Sequence, residues 1–141
     1  MNIRTAYQKD YKGIAELIIN ELGYPNQKYE DIYKRLETIE ESNIHQTLVA
    51  CIDDAVVGFI GLCREATYEA DEHVRVLTFV ISEKYQRRGV GTALLIAAKA
   101  FAEENNIKLI KVSSAFHRTK SHFFYEANEF ERVGFTFFRY L

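Results

Sequence analysis

Gln86-Arg87-Arg88-Gly89-Val90-Gly91-Thr92-Ala93-Leu94 follows an apolar run, Leu77 to Ile81, and opens a long stretch of helical periodicity. A strand therefore passes through a glycine-containing turn into a helix, which gathers backbone N–H groups and a helix N-terminus at one point. Gly89 and Gly91 let an anion reach the main chain without meeting a Cβ, and the unpaired amides of the first helical turn supply donors and partial positive charge. In physical terms the segment is a pyrophosphate clamp.

Working outward, Val90, Ala93, Leu94, Ala97 and Phe101 form one face of the helix that follows, and the polar run Glu103 to Asn106 ends it. Ile107 to Ser113 reads as a strand, Arg118 to Ala127 as a helix, and the aromatic-rich Phe130 to Leu141 as a last strand. Upstream, Val74 to Ser82 carries apolar residues at 76, 77, 79, 80 and 81, which predicts a central strand buried on both faces. Before it, Leu48 to Ile52 and Val56 to Leu62 flank a turn at Asp53-Asp54 and predict a hairpin. A short strand over Asn2 to Tyr7 opens the chain. Two helices follow, one with Ile14, Leu17, Ile18 and Leu22 inward and stopped by Gly23 and Pro25, the other capped by Asn26 with Tyr29, Ile32, Tyr33, Leu36 and Ile39 inward. The order β-α-α-β-β-β-α-β-α-β predicts an α/β (α+β) single domain with a mixed sheet spanning 1–141.

A chain of 141 residues fits one such domain. The net charge of -2 and the absence of a long basic run argue against nucleic acid or an anionic membrane as partner. No apolar run approaches the ~20 residues of a membrane span and Met1 to Thr5 lacks a signal-peptide core, so a soluble cytoplasmic protein is expected. Hairpin pairing would set Cys51 near Gly58 rather than Cys63, which speaks against a disulfide, and the four histidines show no zinc-site spacing.

The succession of strand, Gln-x-x-Gly-x-Gly, helix, strand, helix with Phe124-Tyr125-Glu126, and strand resembles the GNAT superfamily of acetyl-CoA-dependent N-acetyltransferases over nearly the whole chain. Ile3-Arg4-Thr5-Ala6, Leu22-Gly23-Tyr24-Pro25 and Ser121 to Glu126 are most similar to branches that acetylate small molecules, aminoglycoside-type enzymes included. A dinucleotide-binding reading is weaker, because Ala93 and Leu94 follow Gly91-Thr92 and the full Gly-x-Gly-x-x-Gly is missing.

The resemblance implies that Arg87, Arg88, Gly89, Val90, Gly91 and Thr92 contact the pyrophosphate of acetyl-CoA, the acetyl donor, with Gln86 opening the loop. It further implies that backbone groups at Val80 and Ile81 pair with the pantetheine arm and aim an N–H at the thioester carbonyl. Tyr125 is implied as the general acid beside the departing sulfur. No metal is implied.

Two positions depart from the family pattern. Glu129 stands where relatives carry glycine, which predicts that the left-handed turn moves to Asn128. Arg75 aligns where a carboxylate often serves as base, and Arg cannot take a proton; Asp71, Glu72 and His73 are the nearby alternatives. The acidic cluster Glu65, Glu69, Asp71 and Glu72 predicts attraction of a cationic amine. The function expected is N-acetylation of a small-molecule primary amine; a non-catalytic acyl-CoA sensor and a protein N-acetyltransferase are the alternatives. The aromatic C-terminus suggests a homodimer.

Overall fold

In the computed structural model, which describes Met1–Leu141, Ile52 pairs with Ala55 across Asp53-Asp54, and both aspartates are left-handed (φ 50° and 64°). This is the primed turn whose twist suits a tight hairpin, and Asp is among the few residues that tolerate it. The hairpin joins β2 (His45–Ile52) to β3 (Ala55–Glu65). β1 (Asn2–Thr5) pairs antiparallel with β2, and β4 (His73–Ile81) antiparallel with β3. β5 (Ile110–Val112) completes a sheet of order β1-β2-β3-β4-β5. Helices α1 (Tyr11–Asn20) and α2 (Tyr29–Glu41) connect β1 to β2, α3 (Val90–Glu104) connects β4 to β5, and α4 (Thr119–Ala127) follows. No helix is long and apolar enough to cross a membrane. The chain forms two compact units, Met1–Lys111 and Val112–Leu141.

In the first unit, Ile14 and Leu17 of α1 and Ile32 and Leu36 of α2 bury against Val49, Phe59 and Val80 of the sheet. Gly13 permits this contact: a Cβ there would lie 2.9 Å from the Cβ of Val56. The start of the chain is held by Arg4, which forms a two-pronged ion pair with buried Asp10 at 2.7 and 2.9 Å. The same carboxylate accepts the Tyr7 N–H at 2.8 Å. Adjacent residues of β3 face opposite ways, so Phe59 joins the α1–α2 core while Gly58 meets Val90 of α3.

Several expectations are corrected. The α3 stripe is Val90, Leu94, Leu95, Ala98 and Ala102 rather than 90, 93, 94, 97 and 101, because the buried series advances in steps of four. Helix α2 begins at Tyr29 behind Lys28, without a side-chain cap from Asn26. A bulge at Ala50/Cys51 sets Cys51 opposite Val56 instead of Gly58; both cysteines are free. β4 is interior to the sheet, with Val74, Val76 and Val80 buried, but of its predicted apolar run Leu77 is exposed. The predicted strand over 130–141 does not form. Aromatic and β-branched residues make a strand only where ladder bonds form; Thr136 Oγ1 lies 3.4 Å from Ser113 Oγ, just after β5, yet the segment makes no ladder.

Candidate active site

The chain leaves β4 at Ile81, makes a 3-10 turn over Glu83–Tyr85 and re-enters helix at Val90. Ser82 donates its N–H to the Val57 carbonyl at 2.8 Å, which pins the start of the turn to β3. Gln86 is extended and donates its side-chain amide to the Ile81 carbonyl at 3.4 Å. Arg87 (φ 64°) and Gly89 (φ 79°) are both left-handed, and Gly89 is the N-cap of α3. No side chain caps this helix. The first intrahelical bond runs from Ala93 N–H to the Gly89 carbonyl at 2.9 Å, so the amides of Val90, Gly91 and Thr92 have no partner within the helix. A Cβ built on Gly89 meets no atom within 4 Å. Glycine is required there by the backbone, and the space before the helix end is open to an anion. Arg87 and Arg88 are exposed beside it, the Arg88 guanidinium lying 5.3 Å over the Tyr85 ring.

The turn is seated by a glycine that sequence reading passed over. A Cβ on Gly58 would stand 2.8 Å from Ile81 Cδ1, 3.1 Å from the Val80 carbonyl oxygen and 3.4 Å from Val90 Cγ1. Gly58 thus lets the end of β4 and the beginning of α3 close onto β3 together. Val80 and Val90 are buried, so the side chains anchor the turn and only their backbone faces outward chemistry. A glycine inside an otherwise apolar strand was the available signal.

Thr78 pairs with Gly61 and Val76 with Leu62, which makes Leu77 an extra residue on β4 and produces a bulge. Leu77 is 43% exposed. Nearer the start of β4, His73 is 1% exposed, and its Nε2 lies 3.0 Å from Glu65 Oε1; a carboxylate only accepts, so Nε2–H is the donor. The other ring nitrogen, Nδ1, is buried without a partner. Arg75 Nη1 lies 3.8 Å from the second Glu65 oxygen. Glu72 is gripped by Arg64 through bonds of 3.0 to 3.3 Å. Two of the four acids in the expected cation-attracting cluster are therefore engaged by basic side chains, while Glu69 and Asp71 are exposed. Of the alternative bases, His73 is buried and Glu72 is ion-paired. Sequence reading missed the Glu65–His73 pair because only the β3–β4 register brings the two together.

In the second unit, α4 ends in a Schellman arrangement. Phe130 N–H donates to the Tyr125 carbonyl at 3.0 Å, and Glu129 N–H to the Glu126 carbonyl at 3.3 Å. Asn128 has φ -106° and Glu129 φ 71°, so the left-handed residue is Glu129 and not Asn128 as expected. The Asn128 side chain instead donates to the Phe124 carbonyl at 2.8 Å. Burial pushes the Tyr125 phenol above the ordinary tyrosine range, with the Arg118 charge pulling the other way. The phenol is thus protonated at neutral pH, the form a proton donor needs. Val80, Ile81 and Gln86 to Thr92 come together at the end of β4, whereas Tyr125 belongs to the second unit.

Known proteins resemble this chain in sequence and in fold. At 25% identity, 96% of this chain aligns with 93% of an uncharacterized N-acetyltransferase, YhfO, of Bacillus subtilis strain 168. A GNAT family acetyltransferase from Staphylococcus aureus has the same fold with a TM-score of 0.81 and 25% identity, over 99% of this chain and 98% of that one. AAC(6')-Iy in complex with the bisubstrate analogue CoA-S-monomethyl-acetylneamine superposes with a TM-score of 0.86 over 99% and 97% of the two chains; at 16% identity the likeness is one of fold. The model of the acetyltransferase (GNAT) family matches residues 9–130, from the turn before α1 through the end of α4, and the chain belongs to that family.

Proposed function

We propose that this chain is an acetyl-CoA-dependent N-acetyltransferase that moves the acetyl group directly to a primary amine of a small molecule, with residues 1–141 working as one domain. The observation that carries the reading is the uncapped start of α3 behind left-handed Gly89, at the end of β4, in a member of the acetyltransferase (GNAT) family. The fold shared with an acetyltransferase that holds a CoA-based bisubstrate analogue supports the donor and the small-molecule acceptor.

Arg87 to Thr92 hold the pyrophosphate, chiefly through amides, with the guanidinium groups of Arg87 and Arg88 adding charge. Backbone groups at Val80 and Ile81 align the pantetheine arm, and an N–H there stabilises negative charge that builds on the thioester oxygen. The amine attacks in its neutral form, a minor species at neutral pH because an ordinary ammonium has a pKa near ~10. Tyr125 gives its proton to the departing sulfur, and the proton that the acetylated nitrogen sheds passes to water, from which the phenol is reprotonated. The reading includes a homodimer, supported by exposed aromatic residues near the C-terminus, and a cytoplasmic setting, in keeping with two free thiols.

Calorimetric titration with acetyl-CoA tests the proposal. The unmodified protein is expected to bind, and a Gly89→Glu, Gly91→Glu double variant to lose binding. Because Glu at φ 79° is strained, an Arg87→Ala, Arg88→Ala double variant provides a second comparison and should bind more weakly with its fold intact. Absence of binding by the unmodified protein would reduce the turn to a structural feature. Binding without turnover on any amine would instead make this chain an acyl-CoA sensor.

A further inference from the structure

Arg75 is the basic side chain on β4, and it stands two residues from the bulged Leu77. Its side chain is 48% exposed, and its ion pair with Glu65, at 3.8 Å, is too long for a hydrogen bond. Glu65 is held elsewhere: its other oxygen takes the Nε2–H of buried His73 at 3.0 Å. The guanidinium therefore keeps a planar fork of N–H donors turned to solvent, the geometry that matches a carboxylate in two-pronged fashion. The exposed Leu77 beside it offers an apolar strip.

The nearby acids complete the pattern. Glu72 is occupied by Arg64, but Glu69 and Asp71 are exposed on the loop that leads into β4. Such a surface has a place for one anion at Arg75 and a negative field that favours an ammonium group close by. A polycation would meet Arg75 as a repulsive charge, and an isolated anion would meet the loop as one. A molecule that carries both charges meets neither.

Resting on the acetyltransferase reading, we propose that Arg75 is a specificity-determining residue that takes a carboxylate of the acceptor, so that the preferred substrates are amino carboxylates with an apolar spacer. His73 is a positioning residue that holds Glu65, the acid behind Arg75, in place.

The test uses three probes of matched length: 6-aminohexanoate, 6-aminohexanamide and 1,6-diaminohexane. Their binding to the CoA-loaded and the CoA-free protein is measured by calorimetry, and kcat/KM is measured with acetyl-CoA. A charge-assisted pair at a half-exposed site predicts about a tenfold preference for the carboxylate probe over its amide. Arg75→Gln should erase that preference, and Arg75→Glu should invert it toward the diamine while leaving the affinity for acetyl-CoA unchanged. An inversion is an outcome that a purely structural role would not produce. Equal binding of the three probes by the unmodified protein, or an unaltered ranking in Arg75→Glu, would overturn the proposal. Failure of acetyl-CoA to bind would remove the acetyltransferase reading, while the charge preference at Arg75 would still be read from probe binding to the CoA-free protein.

Discussion

The ring of Phe130 packs edge-on against that of Tyr125 at 5.6 Å between centroids, while the Phe130 amide bonds to the Tyr125 carbonyl at 3.0 Å. One residue thus fixes both the ring and the backbone of the proposed acid, through the contact that characteristically closes a Schellman helix end. The cost falls on Glu129, whose left-handed conformation is disfavoured for a side chain with a Cβ by ~1–2 kcal/mol. Glu129→Gly removes that strain and gives back part of it as unfolded-chain entropy. A net gain of about 0.5–1 kcal/mol is expected in urea denaturation.

Tyr125→Phe keeps the ring that meets Phe130 and deletes only the hydroxyl. The expected result is kcat reduced ~10²-fold or more with the fold intact. Equal turnover across a pH range would assign the proton donor elsewhere.

Gly58→Ala places a methyl 2.8 Å from Ile81 Cδ1 and 3.1 Å from the Val80 carbonyl. The side chain can yield, but the backbone oxygen cannot do so without shifting β4. A loss of ~1–3 kcal/mol is expected in denaturation. Weaker acetyl-CoA binding should accompany it in calorimetry, because the same movement disturbs the turn before α3.

Asp10 is held below the usual carboxylate range by the hydrogen bonds of Arg4, assisted by the Tyr7 amide and opposed by burial. A depressed folded-state pKa contributes stability above the unfolded value of 3.8, and that contribution is lost as pH falls below it. Asp10→Asn should therefore cost ~1.5–3 kcal/mol near neutrality and progressively less below about pH 4. Denaturation curves at a series of pH values check this. A constant difference between the two proteins would show that the charge contributes nothing.

Phe135, Phe137, Phe138 and Tyr140 are 74% to 91% exposed. Four large aromatic side chains exposed within six residues make an apolar surface of the kind a second copy can cover. A dimer is expected in sedimentation, and Phe137→Ser with Tyr140→Ser should shift it to monomer. A mass that stays monomeric at all concentrations would rule it out.

Much of the fold was legible because its signals are local. The Asp53-Asp54 turn, the apolar stripe of α1 and the Gly89 turn each depend on residues within one element and its flanks. Interactions between elements were not legible. Nothing in the order of residues reveals that Cys51 faces Val56 or that Glu65 faces His73, since one extra residue in a strand resets all pairings beyond it. The aromatic run over 130–141 misled for a related reason: strand propensity is realised only against a partner strand. At the site, the turn that cradles an anion was visible as glycines beside arginines. Its support by Gly58 and the spare donors of Arg75 belong to packing.

Leu77 changes the meaning of every residue before it. Strands count in twos, and the inserted leucine breaks the count, so Thr78 shares a side with Gly61 whereas Val76 shares the other with Leu62. Val74 and Val76 are buried because of that offset, and Arg75 is free to meet solvent. Deleting Leu77 would not shorten the strand at an unimportant place; it would turn the first half of β4 inside out, driving a guanidinium into the interior and two valines into water.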